Sequence, residues 1–260
     1  MFCTNCGTKI NDGDSFCTNC GSKISYESLN SDILSLEEQI KKTKVVAKYS
    51  AETSVDDIDA VKFGSYPQND VSGKTKEPID WLVLDMQNDR ALLLSKYIID
   101  CKKMVSQYEK GSDQNFWGTS ELRNWLNNYF LGFAFNEEER KKIMLSDIDT
   151  FKDLQSYGVP INIKDGHSKD KIFLLSVDEV DSYFAFPYSD NIVKKYATKP
   201  TQYAITNGMK GEFWLRDSGS RGCYDNYIFI TSNIIGRSFG QEHRGDEGNI
   251  GVRPVMWVKI

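Results

Sequence analysis

The chain has 260 residues, 40% of them hydrophobic and 12% aromatic, with a formal net charge of −5. That length holds one ordinary domain plus a small accessory unit, and the apolar fraction is enough for a real core. The mixed, slightly acidic charge gives no support to wholesale nucleic-acid binding, which announces itself as a basic excess, and no apolar run reaches the roughly eighteen residues of a membrane helix.

Composition divides the chain into three regions: 1–25, 26–59 and 60–260. The first is rich in Cys, Gly, Asn, Thr and Ser and carries four of the six cysteines. Cys3 and Cys6 enclose two residues, as do Cys17 and Cys20, and ten residues separate the pairs. A Cys-x-x-Cys turn brings two thiolates to one metal, and the glycines that follow, Gly7 and Gly21, allow the backbone to aim its amides at the sulfurs. A segment this small cannot hold a core, so the metal must supply its fold, worth about 10–16 kcal/mol in comparable peptides. One structural Zn2+ on Cys3, Cys6, Cys17 and Cys20 is expected. A redox pair lacks the surrounding strand–helix–strand pattern, and an iron site of this kind sits in a larger, aromatic-lined fold. Paired cysteines of this type, with no basic start or apolar stretch of a secretory leader, place the chain in a reducing cytoplasm.

In the second region Leu29, Ile33, Leu36, Ile40, Thr43 and Ala47 recur at spacings of four and three. This rhythm gives an amphipathic helix lying on the large domain, or a short coiled-coil stalk that would make a homodimer through residues 29–47. The polar stretch 51–59 reads as a hinge.

The third region opens with a hairpin, in which Ile79–Leu84 and Ala91–Leu94 flank the turn Gln87-Asn88-Asp89-Arg90. A helix follows, capped by Ser120, with Leu122, Trp125, Leu126, Tyr129, Phe130 and Phe133 on one stripe. A second helix starts at Asn136 with Glu137, Glu138 and Glu139, and carries Lys141 and Lys142 further on, as the helix dipole favours. Lys171–Leu175 reads as a strand running into a helix boxed by Ser176 and Glu179. The last fifty residues alternate strand-like pieces with polar, Gly-rich loops. Strands at both ends with helices between them indicate an α+β domain.

Chemistry-bearing patterns in this region are sparse. Glu242, Asp246, Glu247 and Asn249 read as a solvated acidic loop rather than a calcium site. Gly236-Arg237-Ser238-Phe239-Gly240 lacks the helix that a nucleophile elbow needs, and Ser168-Lys169-Asp170-Lys171 lacks companion motifs. Arg216 and Arg253 read as buried arginines bonded to main-chain carbonyls, and Cys101 as a buried thiol.

Residues 1–24 resemble the zinc ribbon found at the N-terminus of many bacterial proteins. Phe63-Gly64-Ser65-Tyr66-Pro67-Gln68, Ile79–Leu84, Ala91–Ser95, Ser120–Asn127, Ile172–Ser176, Trp214-Leu215-Arg216 and Gly251–Trp257 resemble, in order, a bacterial domain family of unknown function. That family is distantly similar to the formylglycine-generating-enzyme branch of the C-type-lectin fold, which implies a lectin-like domain over 60–260. The enzymatic branch implies a cysteine pair near the C-terminal end, where this chain has Cys223 alone, or a His-rich motif, where it has only His167 and His243.

The expected function is therefore non-catalytic binding of a protein or small ligand through loops at 217–250, where Tyr224, Tyr227, Arg237 and Phe239 carry the contact energy. The rival expectations are a metal- or cysteine-dependent enzyme on the same scaffold and a ribbon that associates with nucleic acid. No membrane partner is expected.

Overall fold

The computed structural model describes residues 8–9, 16–22, 34–106, 117–149, 167–184, 198–209, 212–218, 226–231, 241–244 and 246–260. The chain divides into two compact units, Met1–Ser35 and Leu36–Ile260. In chain order the second unit contains helix α1 (Leu36–Lys42) and strands β1 (Val61–Tyr66), β2 (Glu77–Gln87), β3 (Arg90–Ser95) and β4 (Asp100–Cys101). Helices α2 (Glu121–Trp125), α3 (Leu131–Ala134) and α4 (Glu137–Lys142) follow, then strands β5 (Ser146–Asp149) and β6 (His167–Asp170), α5 (Val177–Phe184) and α6 (Gln202–Thr206). It closes with β7 (Glu212–Ser218), β8 (Asn226–Thr231), β9 (Gln241–Arg244), β10 (Gly251–Val252) and β11 (Val255–Lys259).

Strands β1, β2, β3 and β11 form one antiparallel sheet in that order, so the last strand returns to pair with the first hairpin. A second sheet runs β4-β10-β7-β8-β9, with β10 and β7 parallel and its other pairs antiparallel. Strands β5 and β6 make a separate hairpin. The expected β2–β3 hairpin forms, and its turn residue Asn88 takes φ 46°, the left-handed region that Asn tolerates. Ile79, the run Trp81–Leu84 and the run Ala91–Ser95 are all buried, so this hairpin is covered on both faces.

Sequence fixes the helix starts well. Ser120 caps α2 by accepting from the Arg123 N–H at 3.2 Å. Asn136 and Glu139 form a reciprocal capping box on α4. Ser176 and Glu179 close another on α5, at 2.9 and 3.2 Å. The helix from Glu121 is continuous to Ala134 but passes through a π segment, Leu126–Phe130, which widens the turn between α2 and α3. The expected single stripe therefore splits. Leu122, Leu126 and Phe130 are buried, Trp125 and Phe133 are half-buried, and Tyr129 is 56% exposed.

Two expectations need correction, and for the helix of the second region the structure bears out the alternative that lays it on the large domain. The segment Lys171–Leu175 is no ladder strand. Phe173 bridges Val255 alone, while the N–H groups of Lys171 and Ile172 donate to the Asn127 side chain at 2.8 and 3.1 Å. Side-chain and single-bridge bonds satisfy this core-crossing backbone, so its apolar run needs no sheet partner.

The stalk is a seven-residue helix within the described residues, and its seam residues Leu36 and Ile40 belong to the core of the large unit. Those two side chains are therefore spent on their own domain. Leu29 and Ile33 lie outside the described residues.

The hinge at 51–59 is packed. Val46, Val55 and Ile58 are buried, and the buried Lys96 donates from Nζ to the carbonyls of Asp56 and Ile58 at 3.0 and 2.8 Å. Tyr97 Oη and Lys199 Nζ donate to the Asp56 carboxylate at 3.0 and 2.9 Å. Residues 36–59 thus form a strap integral to the domain, and the boundary falls near residue 35 rather than at 25 and 59.

Candidate functional site

The ribbon's second knuckle is described. Cys17 is buried and Cys20 exposed. The turn between them closes through Gly21 N–H to the Cys17 carbonyl at 2.9 Å and Cys17 N–H to the Ser22 carbonyl at 2.8 Å. Gly21 sits at φ +68°, a conformation glycine takes without steric penalty. Two thiols at this spacing on one tight turn are the donor set and backbone shape that half of a thiolate zinc site requires. This knuckle fits a zinc ion. Cys3 and Cys6 lie outside the described residues.

The frame beneath the C-terminal loops is tightly bonded. Trp214 is fully buried and donates from Nε1 to the Lys102 carbonyl at 2.8 Å. Arg253, 1% exposed, donates from Nε to the Ser95 carbonyl at 2.9 Å and lies over the Phe213 ring. Arg216 donates to the Leu174 carbonyl at 2.9 Å and pairs with Glu179. Both arginines hold the frame together, as the sequence suggested. Of the expected contact residues, Tyr227 stands in β8, in register with Ser218 on β7 and His243 on β9. Tyr224, Arg237 and Phe239 lie outside the described residues, as does Cys223.

Two buried acids were not foreseen. Asp100, fully buried, accepts from Tyr66 Oη at 2.6 Å, Asn207 Nδ2 at 2.8 Å and the Cys101 N–H at 2.7 Å, and pairs with Lys102 at 3.0 Å. Asp170, also fully buried, accepts from Arg123 Nε at 2.6 Å, Trp117 Nε1 at 3.0 Å and Ser168 Oγ at 2.6 Å. Tyr66 and Asn207 reach Asp100, and Trp117 and Arg123 reach Asp170, from distant parts of the chain, so periodicity carries no trace of either cluster. Cys101 is buried as expected; its thiol donates to the Gly248 carbonyl at 3.1 Å. Burial, then the neighbouring Asp100, pushes that thiol up to about 11, so it stays protonated at neutral pH.

A cleft of about 390 Å³ opens where the helix ending at Ala134 meets β1 and α4, lined by Gly64, Lys76, Phe133, Asn136 and Arg140 among others. Gly64 has φ +65°, and a Cβ there would come within 2.4 Å of the Phe135 ring. Its N–H donates to Glu139 Oε1 at 3.1 Å. Lys76 Nζ donates to the Phe133 carbonyl at 2.8 Å, and Arg140 Nη1 to the carbonyls of Phe135 and Gly132 at 3.2 and 3.4 Å. Two cations thus cap the last carbonyls of one helix, where its dipole is negative.

The molecule is a zinc-ribbon domain joined to a mixed α+β domain. The zinc-ribbon family model matches residues 2–24 and so takes in all four paired cysteines. Residues 88–260 match the model of the domain of unknown function DUF6273, and the chain belongs to that family. The match begins in the β2–β3 turn, so β1, β2 and the strap lie outside it although they complete its sheet and core. No curated protein matches the chain. No solved structure matches it either. Among the described residues, no helix is long and apolar enough to cross a membrane.

Proposed function

We propose that this protein is a binding module, in which a zinc ribbon precedes a rigid domain that meets its partner through residues 217–250. The observation that carries the reading is the contrast within that C-terminal part. Trp214, Arg216 and Arg253 are buried and committed to main-chain or internal partners. The intervening stretches are rich in Gly, Ser, Asn, Tyr and Arg, the residue types that supply adaptable contact surfaces. Tyr224, Tyr227, Arg237 and Phe239 are the residues of this stretch best suited to carry binding energy. The protonated Cys101 thiol weighs against Cys101 itself as a nucleophile. The order of the sequence motifs, and the return of β11 to the first sheet, favour a lectin-like arrangement of this α+β domain.

Affinity capture from the native source with the wild-type chain and with Tyr224→Ala/Arg237→Ala tests the loop site. The double variant is expected to melt like the wild type and to lose at least about tenfold in affinity for the captured partner, a usual size for paired hot-spot residues. Full retention of the partner by that variant overturns the site.

Within the ribbon, Cys3, Cys6, Cys17 and Cys20 supply four thiolates to one zinc ion, whose role is to fold the segment. Elemental analysis is expected to find one zinc per wild-type chain and none in Cys17→Ser, with exchange protection of residues 1–24 lost in the variant. A variant that keeps its zinc and its protection rules out Cys17 as a ligand.

A further inference from the structure

We infer that the cleft between β1 and the ends of α3 and α4 is a second recognition site, separate from the C-terminal loops, for an acidic protein segment that carries an aromatic residue. The charge balance of the cleft is the first observation. Lys76 and Arg140 line it, and among the described residues neither forms an ion pair. Each uses part of its donor set on carbonyls of one helix end, which leaves the rest of the ammonium and of the guanidinium fork for an incoming group. Lys171 adds a third cation close by, its Nζ donating to the Arg140 carbonyl at 3.0 Å. Among the described residues the one acid lining the cleft, Glu139, accepts from two backbone N–H groups, those of Gly64 at 3.1 Å and Asn136 at 2.8 Å. The local field is therefore net positive, and a guanidinium fork beside an ammonium suits a carboxylate.

The second observation is an aromatic ladder that leads into the cleft. Trp125, Tyr129 and Phe133 stack in succession, with ring centroids 6.2 and 5.4 Å apart and planes 24° and 13° from parallel. Trp125 and Phe133 are half-buried against the core, and the middle ring, Tyr129, is 56% exposed. Lys76 Nζ stands 4.4 Å above the Phe133 ring, so the cationic cleft and the apolar row meet at one residue. A half-buried aromatic row with its middle ring exposed, ending at cations that have no acidic partner among the described residues, has the form of an anchor-and-charge surface.

The occupant follows from size and charge. A cleft of about 390 Å³ admits a few side chains of an extended segment rather than a folded partner. A chain of net charge −5 repels an extended polyanion, which favours a short acidic peptide over nucleic acid.

Fluorescence anisotropy on the full chain tests this with three labelled probes: an end-blocked peptide of alternating glutamate and phenylalanine, its glutamine–phenylalanine counterpart, and a ten-nucleotide thymidine oligomer. The glutamate peptide is expected to bind saturably and to weaken as sodium chloride is raised. Arg140→Gln and Tyr129→Ala should each weaken it about tenfold, the size of a lost charge-assisted bond or aromatic anchor. Tyr129 is exposed, so its variant keeps the test valid if Arg140→Gln melts early. No saturable binding of the glutamate peptide, equal binding of the glutamine peptide, tighter binding of the oligomer, or full affinity in Tyr129→Ala each overturns the proposal.

Discussion

A chain that begins at Val61 is expected to lose the cooperative melting transition shown by a chain that begins at Leu34. The segment removed carries Leu36, Ile40, Val46, Val55 and Ile58, all of them in the core cluster. Full burial of such side chains stabilises by about 1.5–3 kcal/mol each. Together they approach the whole stability of an ordinary domain, about 5–15 kcal/mol. The loss also strands Lys96, whose ammonium would give up both strap carbonyls. Burial already holds its pKa below the usual lysine value, and the vacated site would leave the charge to solvent alone. Differential scanning calorimetry of the two chains decides the matter. A melt within a few degrees of the longer chain would show that the strap is an accessory and that the family unit starting at Asn88 needs only β1 and β2 to fold.

Asp170→Ala is expected to be the most damaging single polar substitution, at about 3–5 kcal/mol, because removing one partner of a buried pair leaves the others uncompensated. Arg123 would keep its bonds to the carbonyls of Gly118 and Lys169 but lose its 2.6 Å carboxylate contact. Trp117 would lose its Nε1 partner while 1% exposed. The Asp170→Asn change keeps an acceptor and the volume, so it should cost less. Urea denaturation of both variants gives the comparison. Equal, small losses in the two would show that Arg123 and Trp117 find water instead, and that the cluster adds little to stability.

Short-range interactions were legible in the sequence, and long-range ones were not. What the sequence determined by itself was local: the zinc-ribbon cysteines at their two-residue spacings, the β2–β3 hairpin and its turn, and the caps at Ser120, Asn136 and Ser176. Each rests on neighbours a few residues apart, whose hydrogen bonds form in any context that admits the element. The buried roles of Arg216, Arg253 and Cys101 were also legible, since each follows or precedes an apolar run. The tertiary structure alone decided the rest. The heptad rhythm at Leu36 and Ile40 records that one face is apolar but not whether a partner chain or the chain's own sheet covers it. The polar composition of 51–59 hid Val55 and Ile58, two anchors that fix a strap when Lys96 arrives from 38 residues away to bind the Ile58 carbonyl. At 3.6 residues per turn Tyr129 falls in the middle of the apolar stripe, but with the π segment in the helix it is 56% exposed, while Trp125 and Phe133 stay half-buried. The Asp100 and Asp170 clusters and the cationic cleft draw on residues scattered along the chain, and a one-dimensional pattern holds no record of such convergence.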